Sequence, residues 1–177
     1  SNGRLLREGP FENLWIQPAA GDAGGALGVA LLIWYKYLGN NRKLDEVRVS
    51  QKTSYLGNCY TDKEIEDFLK KDEIPFEKLS TGEIPPRIAE LIAGENVIGW
   101  FEGRMEFGPR SLGSRSIIGD PRSKEMQSVM NLKIKYRESF RPFAPTVLRE
   151  HVSDYFDIDC ESPYMLLVAN IKDEKRV

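Results

Sequence analysis

Four arginines and four glycines share one short stretch of this chain, Gly103 to Arg122, with serines between them and little bulk. Arg104, Arg110, Arg115 and Arg122 offer planar guanidinium forks that fit phosphate and carboxylate oxygens. The glycines let a backbone approach a ligand and present its N–H groups. The chemistry on offer is the capture of a small, oxygen-rich anion. Arg110 follows Gly108-Pro109, and the proline fixes the backbone just ahead of it. It either takes a phosphate-like ligand or pairs with Glu106 to brace the loop. Arg115 and Ser116 open the next strand and suit a ligand role or a supporting role equally. Arg122 follows Pro121 at a turn and reads as solvated.

A second set of cations lies at Lys133, Lys135, Arg137 and Arg141. The first three alternate with Leu132, Ile134 and Tyr136. In an extended conformation they share one face, which would line a triphosphate; the plainer alternative is an exposed charged strand. Arg141 sits between Phe140 and Pro142-Phe143 and so emerges from a stiff apolar turn. Glu106 and Asp120 are either Mg²⁺ ligands or salt-bridge partners of the arginines. His151 is the one histidine, in a polar setting. No Ser/His/Asp or Cys/His arrangement can therefore be built.

The elements that must position these residues alternate in type. Asn13 to Gln17 reads as a short strand. Ala23 to Leu38 reads as a helix, with Asp22 as its N-cap and apolarity all round that predicts burial. Such a helix is expected to pack on the second unit or on a neighbouring copy. Arg42 to Thr53 is polar and marks a domain boundary. Thr61-Asp62-Lys63-Glu64 is a capping box that starts a helix through Lys71, with Ile65, Phe68 and Leu69 as its buried face. Pro75 to Leu79 suits an edge strand. Pro85-Pro86 opens a helix that Gly94 closes. Val97 to Phe101 predicts an inner strand with Trp100 or Phe101 buried, and Ser116 to Ile118 a second strand. Ser123 caps a helix through Met130. Phe143 to Leu148 and Tyr164 to Ala169 are strand-like, and Arg149 to Phe156 a short helix. The alternation argues for a mixed α/β sheet.

Composition narrows the class. The chain has 177 residues and a formal net charge of -2, which excludes a globally basic nucleic-acid binder. No apolar run reaches membrane-spanning length, and no signal-peptide pattern opens the chain. Cys59 and Cys160 suit reduced thiols in a cytoplasmic protein. The opening Ser1-Asn2-Gly3 lacks methionine, and the chain is expected to be a segment cut at both ends.

Glu106-Phe107-Gly108-Pro109-Arg110-Ser111-Leu112-Gly113-Ser114-Arg115-Ser116-Ile117 resembles the signature of the nodulation-protein and antibiotic O-carbamoyltransferases. Ser111 stands where that family usually has alanine. Met130 to Leu148 is similar to the family's second block, and Gln17 to Gly28 to a third, in the same order. The resemblance implies a longer protein with an actin-like ATPase-type domain followed by a YrdC-like domain. Residues 1–48 would then be a strand–helix remnant of the first. Residues 49–177 would be a truncated YrdC-like domain, a mixed twisted sheet with flanking helices.

The same resemblance implies an enzyme. The YrdC-like domain would convert carbamoyl phosphate and ATP, with Mg²⁺, into carbamoyl adenylate, and the missing actin-like domain would pass the carbamoyl group to an acceptor hydroxyl. Arg110, Lys135 and Arg141 would touch carbamoyl phosphate or ATP and are expected to turn into one pocket. Gly108 and Gly113 would leave room there for the anion. Arg115, Ser116, Lys133 and Arg137 would be secondary contacts to the nucleotide. Asp22 matches an aspartate that ligates a metal, usually iron, beside histidines this sequence lacks, so iron is expected only in the intact protein. The fragment is expected to be inactive alone. The alternatives are an RNA- or nucleotide-binding module and a domain that only steadies its neighbour. Phe107, Phe140 and Phe143 lie close to prolines and look packed, which disfavours nucleic acid.

Overall fold

Thr61 shows how local sequence sets the helices. Its hydroxyl accepts from the Glu64 N–H at 3.2 Å, and the Glu64 carboxylate accepts from the Thr61 N–H at 2.7 Å. This reciprocal capping box starts α3 (Asp62–Lys71) as the sequence predicts. The next helix, α4 (Ile84–Ala93), carries its prolines in the first turn, where their missing N–H groups cost nothing, and ends at Gly94.

The computed structural model describes residues 2–42 and 51–176. The boundary expected at residue 48 lies outside them. The chain opens with α1 (Asn2–Glu8), followed by α2 (Asp22–Leu32), which runs on as a π-helical turn, Ile33–Tyr37. After α3 and α4 come β1 (Ile98–Phe101) and β2 (Arg115–Ile118). Then α5 (Met126–Val129) continues as a second π-helical turn, Met130–Ile134. A 3-10 turn, Arg149–His151, leads into α6 (Val152–Tyr155), and another lies at Asp173–Lys175. The architecture is mixed: helices around a small antiparallel sheet. None of the described helices is long and apolar enough to cross a membrane.

Among the described residues the sheet has two strands, with Ile98 opposite Ile118 and Phe101 opposite Arg115. Both strands are therefore edges, and β1 is not an inner strand. Phe101 is 55% exposed and Trp100 only half-buried, against the expectation of burial. Four other expected strands are not formed: Asn13–Gln17, Pro75–Leu79, Phe143–Leu148 and Tyr164–Ala169. An apolar run makes a strand only beside a pairing edge, and Pro75 and Pro145 remove donors within two of these runs. One antiparallel bridge joins Phe156 to Ile171. The two ends of the chain also meet, since the Asn2 amide donates to the Leu166 carbonyl at 2.9 Å.

Burial departs most from the sequence reading. No residue of α2 or of its π-helical turn is buried, and Leu32, Trp34 and Tyr37 are exposed. Among the described residues no element of the second unit buries this helix. On α3, Ile65 and Phe68 are exposed and Leu69 is half-buried. An apolar stripe states the demand for a cover, and no described element supplies one. Ser123 is not a cap, because α5 starts at Met126 after Glu125, with no side-chain cap. Among the described residues the buried apolar side chains are Pro18, Met126 and Met130.

Thr61→Ala removes one half of the capping box. It is expected to lower stability by about 1 kcal/mol, read as a lower denaturant midpoint, while Thr61→Ser retains the wild-type value.

Candidate functional site

The Gly103 to Ser114 loop joins β1 to β2, and a flanking segment ties down its first half. The Phe107 N–H donates to the Ser54 carbonyl at 2.6 Å. Gly57 N–H donates to Met105, and Met105 N–H to Asn58, at 2.9 and 2.8 Å. The Arg104 guanidinium reaches the Leu56 carbonyl at 3.1 Å, and the Tyr55 hydroxyl donates to the Leu112 carbonyl at 2.6 Å.

Glu106 holds the second half. Its Oε1 accepts the N–H groups of Leu112, Ser114 and Arg115 at 2.8, 2.7 and 3.0 Å, and the residue is buried. Burial pushes this carboxyl up, but the N–H groups of Leu112, Arg115 and Ser114 outweigh it, so the carboxyl lies below its usual range. The bracing partner of Glu106 is thus the backbone and not Arg110. Gly108 and Gly113 turn the chain with φ of 110° and 111°, conformations that favour glycine. The room at Gly108 is not free for an anion, because a Cβ there would lie 2.4 Å from the Cβ of Ala19. The turn before α2 therefore docks on this loop.

The arginines of the loop divide. Arg115 is consumed by the fold: its guanidinium donates to the carbonyls of Glu102, Ser114, Asn58 and Gly103 and lies 3.5 Å over the Phe101 ring. The Ser116 hydroxyl accepts from the Gly113 N–H at 3.0 Å. Arg122 is not merely solvated. It grips Asp120 at 2.7 Å, and its side-chain hydrogen bond holds that carboxyl down to about 2. Both candidate Mg²⁺ carboxylates are thus already engaged. Arg110 is exposed, and among the described residues its side chain and that of Ser111 have no hydrogen-bonding partner.

The second cationic segment is not an extended stripe. Lys133 lies in the π-helical turn and Lys135 ends it in a helical conformation, after which Tyr136 takes φ of 50°. Period-two alternation therefore puts no common face on Lys133, Lys135 and Arg137. The helical course of Met126, Val129 and Met130 carries on as far as Ile134 instead. Arg137 donates to Asn131 Oδ1 at 2.6 Å and sits over the Phe143 ring. Arg141 pairs with Glu138 at 2.7 Å, so it does not lack a carboxylate partner. Lys133 and Lys135 are exposed. Sequence reasoning missed Asn131, whose amide donates to the Ser139 and Arg141 carbonyls at 3.0 and 2.8 Å. The available signal was a lone amide between Met130 and Leu132 in an apolar helical run.

Asp22 is exposed in the first turn of α2, and Gly21, not Asp22, is the N-cap. Among the described residues no group of three His, Cys, Asp or Glu side chains gathers to hold a metal, so Asp22 alone does not fit iron. Two shallow hollows lie elsewhere. One borders His151, Asp154 and Lys172, the other Arg122, Met126 and Met130, and neither is lined by Arg110, Lys135 or Arg141.

The depressed Glu106 carboxyl makes the loop acid-sensitive. A folded-state value below the unfolded one, about 4.3, gives stability that is complete above that pH. That stability is lost as pH falls through the folded value. The protection factors of the Leu112, Ser114 and Arg115 amides are expected to drop together over that acid window, read by hydrogen exchange. In Glu106→Gln the drop should be absent.

Two family models match the chain. The carbamoyltransferase C-terminus matches residues 89–177, and the carbamoyltransferase N-terminus residues 1–31. An uncharacterised protein of Synechocystis is 58% identical across 100% of this chain and 29% of its own length. Nodulation protein NolNO of Sinorhizobium fredii is 39% identical across 99% of the chain and 26% of its own. The 3'-hydroxymethylcephem-O-carbamoyltransferase of Streptomyces clavuligerus is 27% identical over 99% and 31%. The chain thus spans less than a third of the length of these relatives. With half of its length matched by the carboxy-terminal model alone, the chain belongs to the carbamoyltransferase family.

Proposed function

We propose that this chain contributes the anion-binding part of an O-carbamoyltransferase that makes carbamoyl adenylate. The observation that carries the reading is the β1–β2 loop. Glu106 and Arg115 fix its backbone, while the Arg110 guanidinium stands exposed with no partner among the described residues. A cation on a rigid base, in a family of carbamoyltransferases, suits a phosphorylated substrate.

The chemistry needs charge neutralisation more than covalent help. Carbamoyl phosphate is cleaved by water to carbamate and inorganic phosphate. A carbamate oxygen then attacks the α-phosphorus of ATP, the bond to the bridging oxygen breaks, and pyrophosphate leaves. An acceptor hydroxyl next attacks the carbamoyl carbon, losing its proton, and AMP departs. Arg110, Lys135 and Arg141 neutralise the phosphoryl oxygens, and Arg115, Ser116 and Arg137 support the two segments that carry them. Lys133 adds a peripheral positive charge. Mg²⁺ accompanies ATP, without Glu106 or Asp120 as direct ligands, and iron belongs to the amino-terminal remainder of the longer relatives. That remainder is the partner that receives the carbamoyl adenylate, in a cytoplasmic enzyme.

The test is exchange of labelled pyrophosphate into ATP, dependent on carbamoyl phosphate, with this chain joined to that remainder. Arg110→Ala is expected to slow exchange at least roughly tenfold, a loss on the order of 1.4 kcal/mol of transition-state stabilisation. Exchange at the wild-type rate in that variant would remove Arg110 from the site. Exchange indifferent to carbamoyl phosphate would remove the reaction.

A further inference from the structure

Asn131 is fully buried, at 0% exposure, and both polar atoms of its side chain are used. Its amide nitrogen donates to the carbonyls of Ser139 and Arg141, and its oxygen accepts from Arg137 Nε. Gln127, four residues earlier on the same helical face, donates to the Arg141 carbonyl at 3.1 Å and more loosely to that of Phe140 at 3.4 Å. The Arg141 carbonyl therefore receives two amides, which occupies both lone pairs of an sp² oxygen.

The residue after this carbonyl stiffens it further. Residue 142 is proline, so φ beyond the carbonyl is locked, and the residue before a proline is itself restricted. Arg141 thus stands on a backbone fixed at its carbonyl and by the next ring. Its head is held differently. The guanidinium pairs with Glu138 at 2.7 Å, with side chains 51% and 54% exposed. An exposed pair three residues apart contributes little. An incoming anion can displace Glu138 without disturbing the base of the arginine.

We propose that Asn131 and Gln127 are positioning residues. Their amides clamp the Arg141 carbonyl so that the guanidinium, released from Glu138, meets a phosphate group of the substrate in one orientation. This rests on the proposed function, in which Arg141 is an anion ligand. Misplacing a charged group by an ångström is costly even when the group itself is retained. The clamp should therefore be visible in affinity while Arg141 is present and invisible once it is gone.

The probe is pyrophosphate, titrated by calorimetry into the full-length carbamoyltransferase that carries this segment. Gln127 is exposed, so its truncation leaves the fold intact. Gln127→Ala is expected to weaken pyrophosphate about threefold and Asn131→Ala about tenfold. In an Arg141→Ala background Gln127→Ala should change nothing further, a non-additivity that a merely structural role would not produce. Wild-type protein that ignores pyrophosphate, or Arg141→Ala that binds it normally, overturns the ligand reading and the clamp with it. Binding that needs Arg141 but is indifferent to Gln127→Ala, or that Gln127→Ala weakens equally in both backgrounds, overturns the clamp alone.

Discussion

A buried carboxylate that accepts three backbone N–H groups fixes three peptide planes at once, and Glu106 does this for the loop between β1 and β2. Each donor left without a partner would cost about 1–3 kcal/mol, so the loop cannot drift from the carboxylate one bond at a time. The rest of the site is arranged around that constraint. Residues 54–58 tie the loop on the near side, Arg115 ties it on the far side, and Ala19 closes against Gly108. Apolar burial has a small share in this order, since Pro18, Met126 and Met130 are the buried apolar side chains among the described residues. Polar bonds that act together carry what a larger core supplies in other domains.

Two kinds of arginine result from the arrangement. Arg115 spends its guanidinium on four carbonyls and the face of Phe101, so its charge faces inward and is bonded on several sides. Arg137 resembles it, with Asn131 on one edge and Phe143 beneath. Arg110 and Arg141 stand on fixed backbone and keep heads that are open or loosely paired. Residue type alone does not separate these roles. Reach does: Arg115 lies opposite Phe101 in the strand register, which brings its fork over the carbonyls of the adjoining loop.

Signals confined to a few neighbours were legible in the sequence. Thr61 to Glu64 named its own capping box, Gly94 its helix end, and Ile98 to Phe101 its strand. Signals that needed a distant partner were not. Glu106 finds its donors six to nine residues ahead, and Asn131 its acceptors eight and ten residues ahead, with no periodic pattern to mark either. The alternation of Lys133, Lys135 and Arg137 suggested a strand, yet Lys133 continues a helix that Met126 and Met130 anchor, Lys135 ends it, and Tyr136 turns the chain before Arg137. Burial on α2 and α3 was misread for a related reason. Hydrophobic residues report that a face needs covering, whereas burial also requires the covering element.

The two cationic segments are braced by groups that add almost no negative charge near their free heads. A bare carboxylate beside an anion site would oppose binding, by about 1 kcal/mol at 4 Å in water and more in a drier setting. Glu106 escapes this because three N–H dipoles already face its oxygen, and it is turned into the protein. Asn131 and Gln127 do the corresponding work for the other segment with neutral amides. Glu138 is the exception, and it lies on the surface where water screens it and its pairing is weak. Rigid support and positive potential usually compete, because the groups that hold arginines best are carboxylates. Here backbone and amide bonds provide the support, and the heads of Arg110 and Arg141 keep their positive charge at the surface.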